Sequence, residues 1–115
     1  MAWLPYVSWF CGGLFAANAV PHFVNGISGR PFQSPFASPP GKGLSSSTVN
    51  VLWGAFNAFV AYCLVLRVGS FSFRSTPDVA AAGAGALVMS VMMARVFGRI
   101  HGGNLQSRST KTERS

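Results

Sequence analysis

Asn18, His22 and Asn25 recur at spacings of four and three, which puts two amides and an imidazole on one face of a helix. Asn50, Trp53, Asn57 and Ala61 repeat that spacing further along and give a second semi-polar face. Both sets lie in apolar surroundings, where a polar side chain turned toward hydrocarbon costs several kcal/mol and so turns toward protein or water. The chemistry they offer is hydrogen bonding and, through His22, proton exchange near neutrality. No carboxylate belongs to either set, so the usual acid/base pair and the oxygen ligands of a hard cation are missing. A nucleophile would have to be a serine from the intervening connector, and no spacing sets one beside His22 with an orienting third group. No catalytic residue is assigned on this basis. A plainer alternative has His22 resting at a headgroup boundary as an interfacial residue.

Metal and cofactor chemistry find equally little purchase. Cys11 and Cys63 each sit in the middle of an apolar run and outside any Cys-x-x-Cys pattern, as inert packing thiols do. Met89, Met92 and Met93 suit irregular packing better than a copper site. Gly41-Lys42-Gly43 lacks the upstream glycine, the following Ser or Thr and the preceding strand of a phosphate loop. The expectation is no metal and no cofactor.

Three apolar segments must position these residues. The chain is 50% hydrophobic and only 10% charged, too little charge to cover the surface of a water-soluble domain of 115 residues. Residues 3–24 are long enough to cross a hydrocarbon core of about 30 Å as a helix, with Trp3, Tyr6 and Trp9 gathered at one boundary. Pro21 is expected to kink this helix. The small-x-small triplet Ala17-Asn18-Ala19 admits a cleaved leader as a rival reading, against which no Lys or Arg precedes the apolar run. Residues 49–68 form the most apolar segment: ten of the twenty are Val, Leu or Phe. Together these ten contribute about 3–6 kcal/mol toward insertion. Ser45 to Thr48 supply its N-cap, and Gly54 with Ala58 a small-residue patch for close packing. The third helix, residues 79–99, is expected to start from a Thr76 cap with Pro77 in the first turn and Asp78 at the positive end of the helix dipole. Only five of residues 79–96 are Val or Leu, so this helix needs partners. Ala82, Ala86, Ser90 and Ala94 form a smooth strip for a close neighbour, including a second copy.

The predicted fold is thus all-α, with three transmembrane helices and a long Pro-rich loop between the first and second. Residues 1–103 form a single transmembrane helical domain, and residues 104–115 a disordered basic tail. Loop 25–48 shows no helical or strand period. Its four prolines and its Phe32, Phe36 and Leu44 suit a segment lying on the membrane surface or re-entering between helices.

The net charge of +7 is read against that fold. No basic helix face or aromatic platform in a polar context supports nucleic-acid binding. If the C-terminus is cytoplasmic, Arg30, Lys42, Arg95, Arg99, Arg108, Lys111 and Arg114 lie inside, against Arg67 and Arg74 outside. That seven-to-two bias predicts a multi-pass cell-membrane protein with its N-terminus outside. Asn18, His22, Asn25, Asn50, Trp53 and Asn57 then share the cytoplasmic half with Arg30, Lys42, Arg95 and Arg99. The set forms a polar mouth suited to an anionic lipid headgroup or a small polar ligand.

Pro21-His22-Phe23, the Pro35-Phe36 loop with Pro39-Pro40-Gly41, and Asn50-x-Leu52-Trp53-Gly54 together resemble small multi-spanning bacterial membrane proteins of unassigned function. That resemblance implies a functional part at the loop and its neighbours, and no particular activity. The expected role is structural or interactive, as an oligomer or as an accessory subunit of a larger membrane complex. The alternative is an oligomeric transporter or channel, or a lipid-headgroup-binding protein, working through the mouth around His22.

Overall fold

The computed structural model describes residues 2–104. Its elements run α1 (Leu4–Ile27), β1 (Phe32–Gln33), β2 (Leu44–Ser45), α2 (Ser47–Leu66) and α3 (Thr76–His101). All three helices are long and apolar enough to cross a membrane. At 24, 20 and 26 residues they measure about 36, 30 and 39 Å, against about 30 Å of hydrocarbon.

Helix α1 is the middle member. It packs along both α2 and α3, whereas α2 and α3 scarcely touch each other. Paired glycines explain this order. Gly13 lies against the Ala82 carbonyl and the Ala86 amide of α3, and Gly85 of α3 lies against the Phe10 carbonyl of α1; a Cβ at either position would run into backbone. The two helices therefore cross with their main chains in contact. Toward α2, the close approach falls at Gly54, where a Cβ would sit 2.7 Å from the Phe23 amide nitrogen. The strip through Ala82 and Ala86, expected to serve a neighbour, is met by α1 of the same chain.

The ends differ in detail from the sequence expectation. Helix α1 continues past residue 24 to Ile27, running through Pro21, and the Asn25 side chain donates to the Pro21 carbonyl at 2.8 Å. Helix α2 begins two residues earlier than expected because Ser46 is the N-cap, its hydroxyl accepting from the Val49 amide at 3.2 Å. Helix α3 begins at Thr76 rather than Val79. Ser75, one residue before the expected cap, accepts from the Asp78 amide, while the Asp78 carboxylate accepts from the Ser72 amide at 3.0 Å. Ser75 thus satisfies one unpaired donor of the first turn, and Asp78 ties the preceding turn at Ser72 to the helix start. Helix α3 runs beyond residue 99 to His101 and ends at Gly102 with φ of 81°, a left-handed conformation that glycine adopts without steric cost.

At the α1 start and α2 end, Ser8 Oγ donates to the Leu64 carbonyl at 2.7 Å and Trp9 Nε1 to the Val68 carbonyl at 2.9 Å. The opposite end carries the connector. It was expected to lack secondary structure, yet Phe32–Gln33 and Leu44–Ser45 pair antiparallel. The two strands are too short for any alternation to register in sequence, and they are held by contacts to all three helices. Phe32 packs edge-on to His22 with ring centroids 5.4 Å apart, and against Phe97 at 4.8 Å. The basic tail expected over 104–115 lies, beyond Asn104, outside the described residues.

Polarity is inverted relative to a water-soluble fold. Among the described residues the largest fully buried side chains are Asn50, Asn57 and Ser34, while Leu52, Phe59 and Leu87 are each more than 60% exposed.

Candidate functional site

Asn50 organises the connector end of the bundle. It stands in the first turn of α2 and is completely buried. The two hydrogens of its Nδ2 face the carbonyls of Phe32, Ser45 and Ser46 at 3.1, 3.2 and 3.1 Å, one hydrogen being shared between two of them. Three carbonyls around one amide nitrogen fix which way the amide faces, since the flipped orientation would set oxygen against oxygen. Oδ1 is thereby turned to His22 Nδ1, 2.8 Å away. An amide oxygen only accepts, so His22 Nδ1 carries the proton and donates, and in the neutral ring Nε2 is left as an acceptor. A single side chain thus joins α1, α2 and both strands of the connector.

Two helical turns along, Asn57 repeats the device more simply. It accepts from Asn18 Nδ2 of α1 at 3.0 Å and donates to the Trp53 carbonyl at 2.7 Å. The polar face read on the second segment therefore binds the polar face of the first. Asn25 departs from that pattern: it bonds its own helix and lines, with Pro21 and Ser90, a separate groove between α1 and α3.

Asn18, His22 and Trp53 line a common open cavity of about 250 Å³ together with Gln33 and Pro35 of the connector and Phe97 of α3. Trp53 Nε1 is buried and has no hydrogen-bond partner among the described residues. Arg30, Lys42, Arg95 and Arg99 are all exposed and none of them lines this cavity. The basic and amide parts of the expected mouth are thus separate in space: amides and imidazole inside, cations on the outer surface of the same end.

Two contributors escaped the sequence reading. Gln33 is buried and its Oε1 accepts from His101 Nε2 at 2.8 Å, across 68 residues of chain. Phe97 lies between His22, at 6.5 Å between ring centroids, and His101, stacked at 6.0 Å. Gln33 sits in a loop without periodicity, and no residue type or spacing signals its role. Phe97 and His101 are four apart on α3 and share a face; that spacing was the available signal.

Among the described residues no group of three or more His, Cys, Asp or Glu gathers to hold a metal ion. The cavity has no carboxylate and no thiol in its wall. Its chemistry is that of neutral hydrogen bonding. Comparison with protein-family models, curated proteins and solved structures finds no match to the chain.

Proposed function

We propose that this chain is an integral membrane protein of interaction type, acting as an oligomer or as an accessory subunit of a larger membrane complex. The observation that carries the reading is the distribution of polarity: the amides of Asn50 and Asn57 are fully buried while Leu52, Phe59 and Leu87 face outward. Hydrocarbon is the solvent in which that distribution is favourable, because apolar side chains lose nothing there and buried amides find partners on neighbouring helices. The excess of Lys and Arg at the connector end supports an N-terminus outside the cell membrane and a cytoplasmic C-terminus. The resemblance to small multi-spanning bacterial membrane proteins fits the same reading.

Helix α3 supplies the interaction surface. It buries only Asp78, Gly85 and Gly98, and Gly83 opens on free space beside exposed Ala80, Ala84 and Leu87. Small residues at a membrane-exposed face allow a second helix to approach closely. With α2 and α3 scarcely touching, one copy encloses no continuous path, so a transporter or channel role would require several copies through this face.

The test is the mass of the full chain in lipid nanodiscs or mild detergent, together with a pull-down from native membranes. A defined species larger than one chain, reduced by Gly83→Leu, is the expected result. A monomer without a membrane partner, insensitive to Gly83→Leu, overturns the interaction reading.

A further inference from the structure

We infer that the apolar groove on the outer flank of α2, against the turn of the connector, seats one acyl chain of an anionic phospholipid whose phosphate pairs with Lys42. The groove has a volume of about 530 Å³ and is walled by Phe36 of the connector and by Val49, Leu52, Trp53 and Phe56 of α2. Trp53 and Phe56 stack with ring centroids 5.8 Å apart, and Phe36 meets Trp53 edge-on at 5.1 Å. Phe36 and Leu52 are nonetheless exposed, so the groove faces outward. Depth selects the occupant. Helix α2 spans 20 residues, about the thickness of the hydrocarbon, so its first half lies within one leaflet. Val49 and Phe56 stand about 3 and 14 Å along the helix from Ser47, the depth that the acyl chains of one leaflet fill. A neighbouring helix fits less well, since close helix approach needs small residues and this wall has none. A flexible hydrocarbon chain packs on such walls through dispersion contacts alone.

Charge selects the head. The turn that carries Phe36 also carries Lys42, and buried Ser34 ties it together: the Phe36 amide donates to Ser34 Oγ at 3.1 Å and the Gly41 amide to the Ser34 carbonyl at 2.8 Å. Lys42 is exposed and belongs to the connector, outside the helical spans, where headgroups lie. Arg30, Arg95 and Arg99 are exposed at the same end. Among the described residues the sole acidic side chain, Asp78, lies at the start of α3, at the opposite end. A head at this place therefore meets positive charge with no competing carboxylate. A net negative head gains about fivefold for each nearby cation, whereas a zwitterionic head brings a cation of its own. This inference rests on the membrane reading above and is distinct from the α3 face proposed for association.

The experiment uses the full chain with Trp3→Phe and Trp9→Phe, which leaves Trp53 as the single tryptophan, in phosphatidylcholine vesicles. Phosphatidylglycerol and phosphatidylcholine with brominated acyl chains are co-reconstituted in separate series, and quenching of Trp53 fluorescence reports a chain in the groove. Half-maximal quenching at about fivefold lower mole fraction of phosphatidylglycerol is expected. Lys42→Gln should abolish that preference. Arg99→Gln removes the same charge from α3, which scarcely touches α2, and should keep it, because charges more than about 8–10 Å apart are screened. Equal quenching by both lipids, or a preference untouched by Lys42→Gln, overturns the inference and leaves the membrane reading standing. Equal loss in both variants shows a diffuse field and overturns it as well. If neither lipid quenches Trp53 even as the whole bilayer, the membrane reading falls and this site with it. Should Trp9→Phe fail to fold, Trp3→Phe measured with and without Trp53→Phe isolates the same signal by difference.

Discussion

The imidazole of His22 and the amide of Asn50, 28 residues apart in sequence, are joined by a 2.8 Å hydrogen bond at the buried junction of α1, α2 and the connector. Because the Asn50 nitrogen is committed to three carbonyls, the bond has a fixed direction, from imidazole to amide. The connector end owes its order to this arrangement.

Asn50→Leu removes the acceptor of His22 and the donor to Phe32, Ser45 and Ser46 while keeping the side chain's branching at Cγ. Leaving such groups unpaired should lower stability by about 1–3 kcal/mol. Unfolding by sodium dodecyl sulfate titration in mixed micelles measures this. A change within about 0.5 kcal/mol, as for a neutral surface substitution, would contradict the assigned role.

The α1–α3 crossing predicts opposite outcomes for one substitution at two neighbouring glycines. In Gly85→Ala the new methyl group meets the Phe10 carbonyl, and since backbone cannot swing aside the cost should be about 1–3 kcal/mol. In Gly83→Ala nothing lies within 4 Å, and the gain in helix propensity should make the change neutral or stabilising by up to about 1 kcal/mol. The same micelle titration reads both, and equal effects would refute the crossing.

Gln33 and His101 tie the connector to the end of α3. Gln33→Ala should speed hydrogen exchange at the Phe32–Ser45 and Gln33–Leu44 pairing while leaving the middle of α2 protected. Exchange followed by mass spectrometry checks this, with His101→Ala expected to give the same pattern. Exchange unaltered in both variants would show that the strands hold without the tie.

The sequence made the helices legible because length and apolar content alone separate them. It also pointed to Asn57 as a buried amide seeking a neighbouring helix, which Asn18 provides. The order of packing was not readable. Nothing in the sequence singles out Gly13, which marks the crossing with α3. Hydropathy does not say which side of α1 takes α2 and which takes α3, and only backbone approach decides where each sits. The connector was opaque for a different reason. Its strands are two residues each, below the length at which alternation registers, and Gln33 and His101 meet through tertiary contact alone. The proposed mouth was read as one cluster because Arg30, Lys42, Arg95 and Arg99 share an end with His22. Sharing an end fixes depth along the helices, not which side chains turn inward.

The central claim is that lipid surrounds the apolar exterior of these helices. Nitroxides at Phe59→Cys and Leu87→Cys, in a background with Cys11 and Cys63 replaced by alanine, test it in reconstituted bilayers. Both native side chains are more than 60% exposed. Frequent collision with oxygen and little with a water-soluble nickel chelate is the predicted result; the reverse would contradict the account.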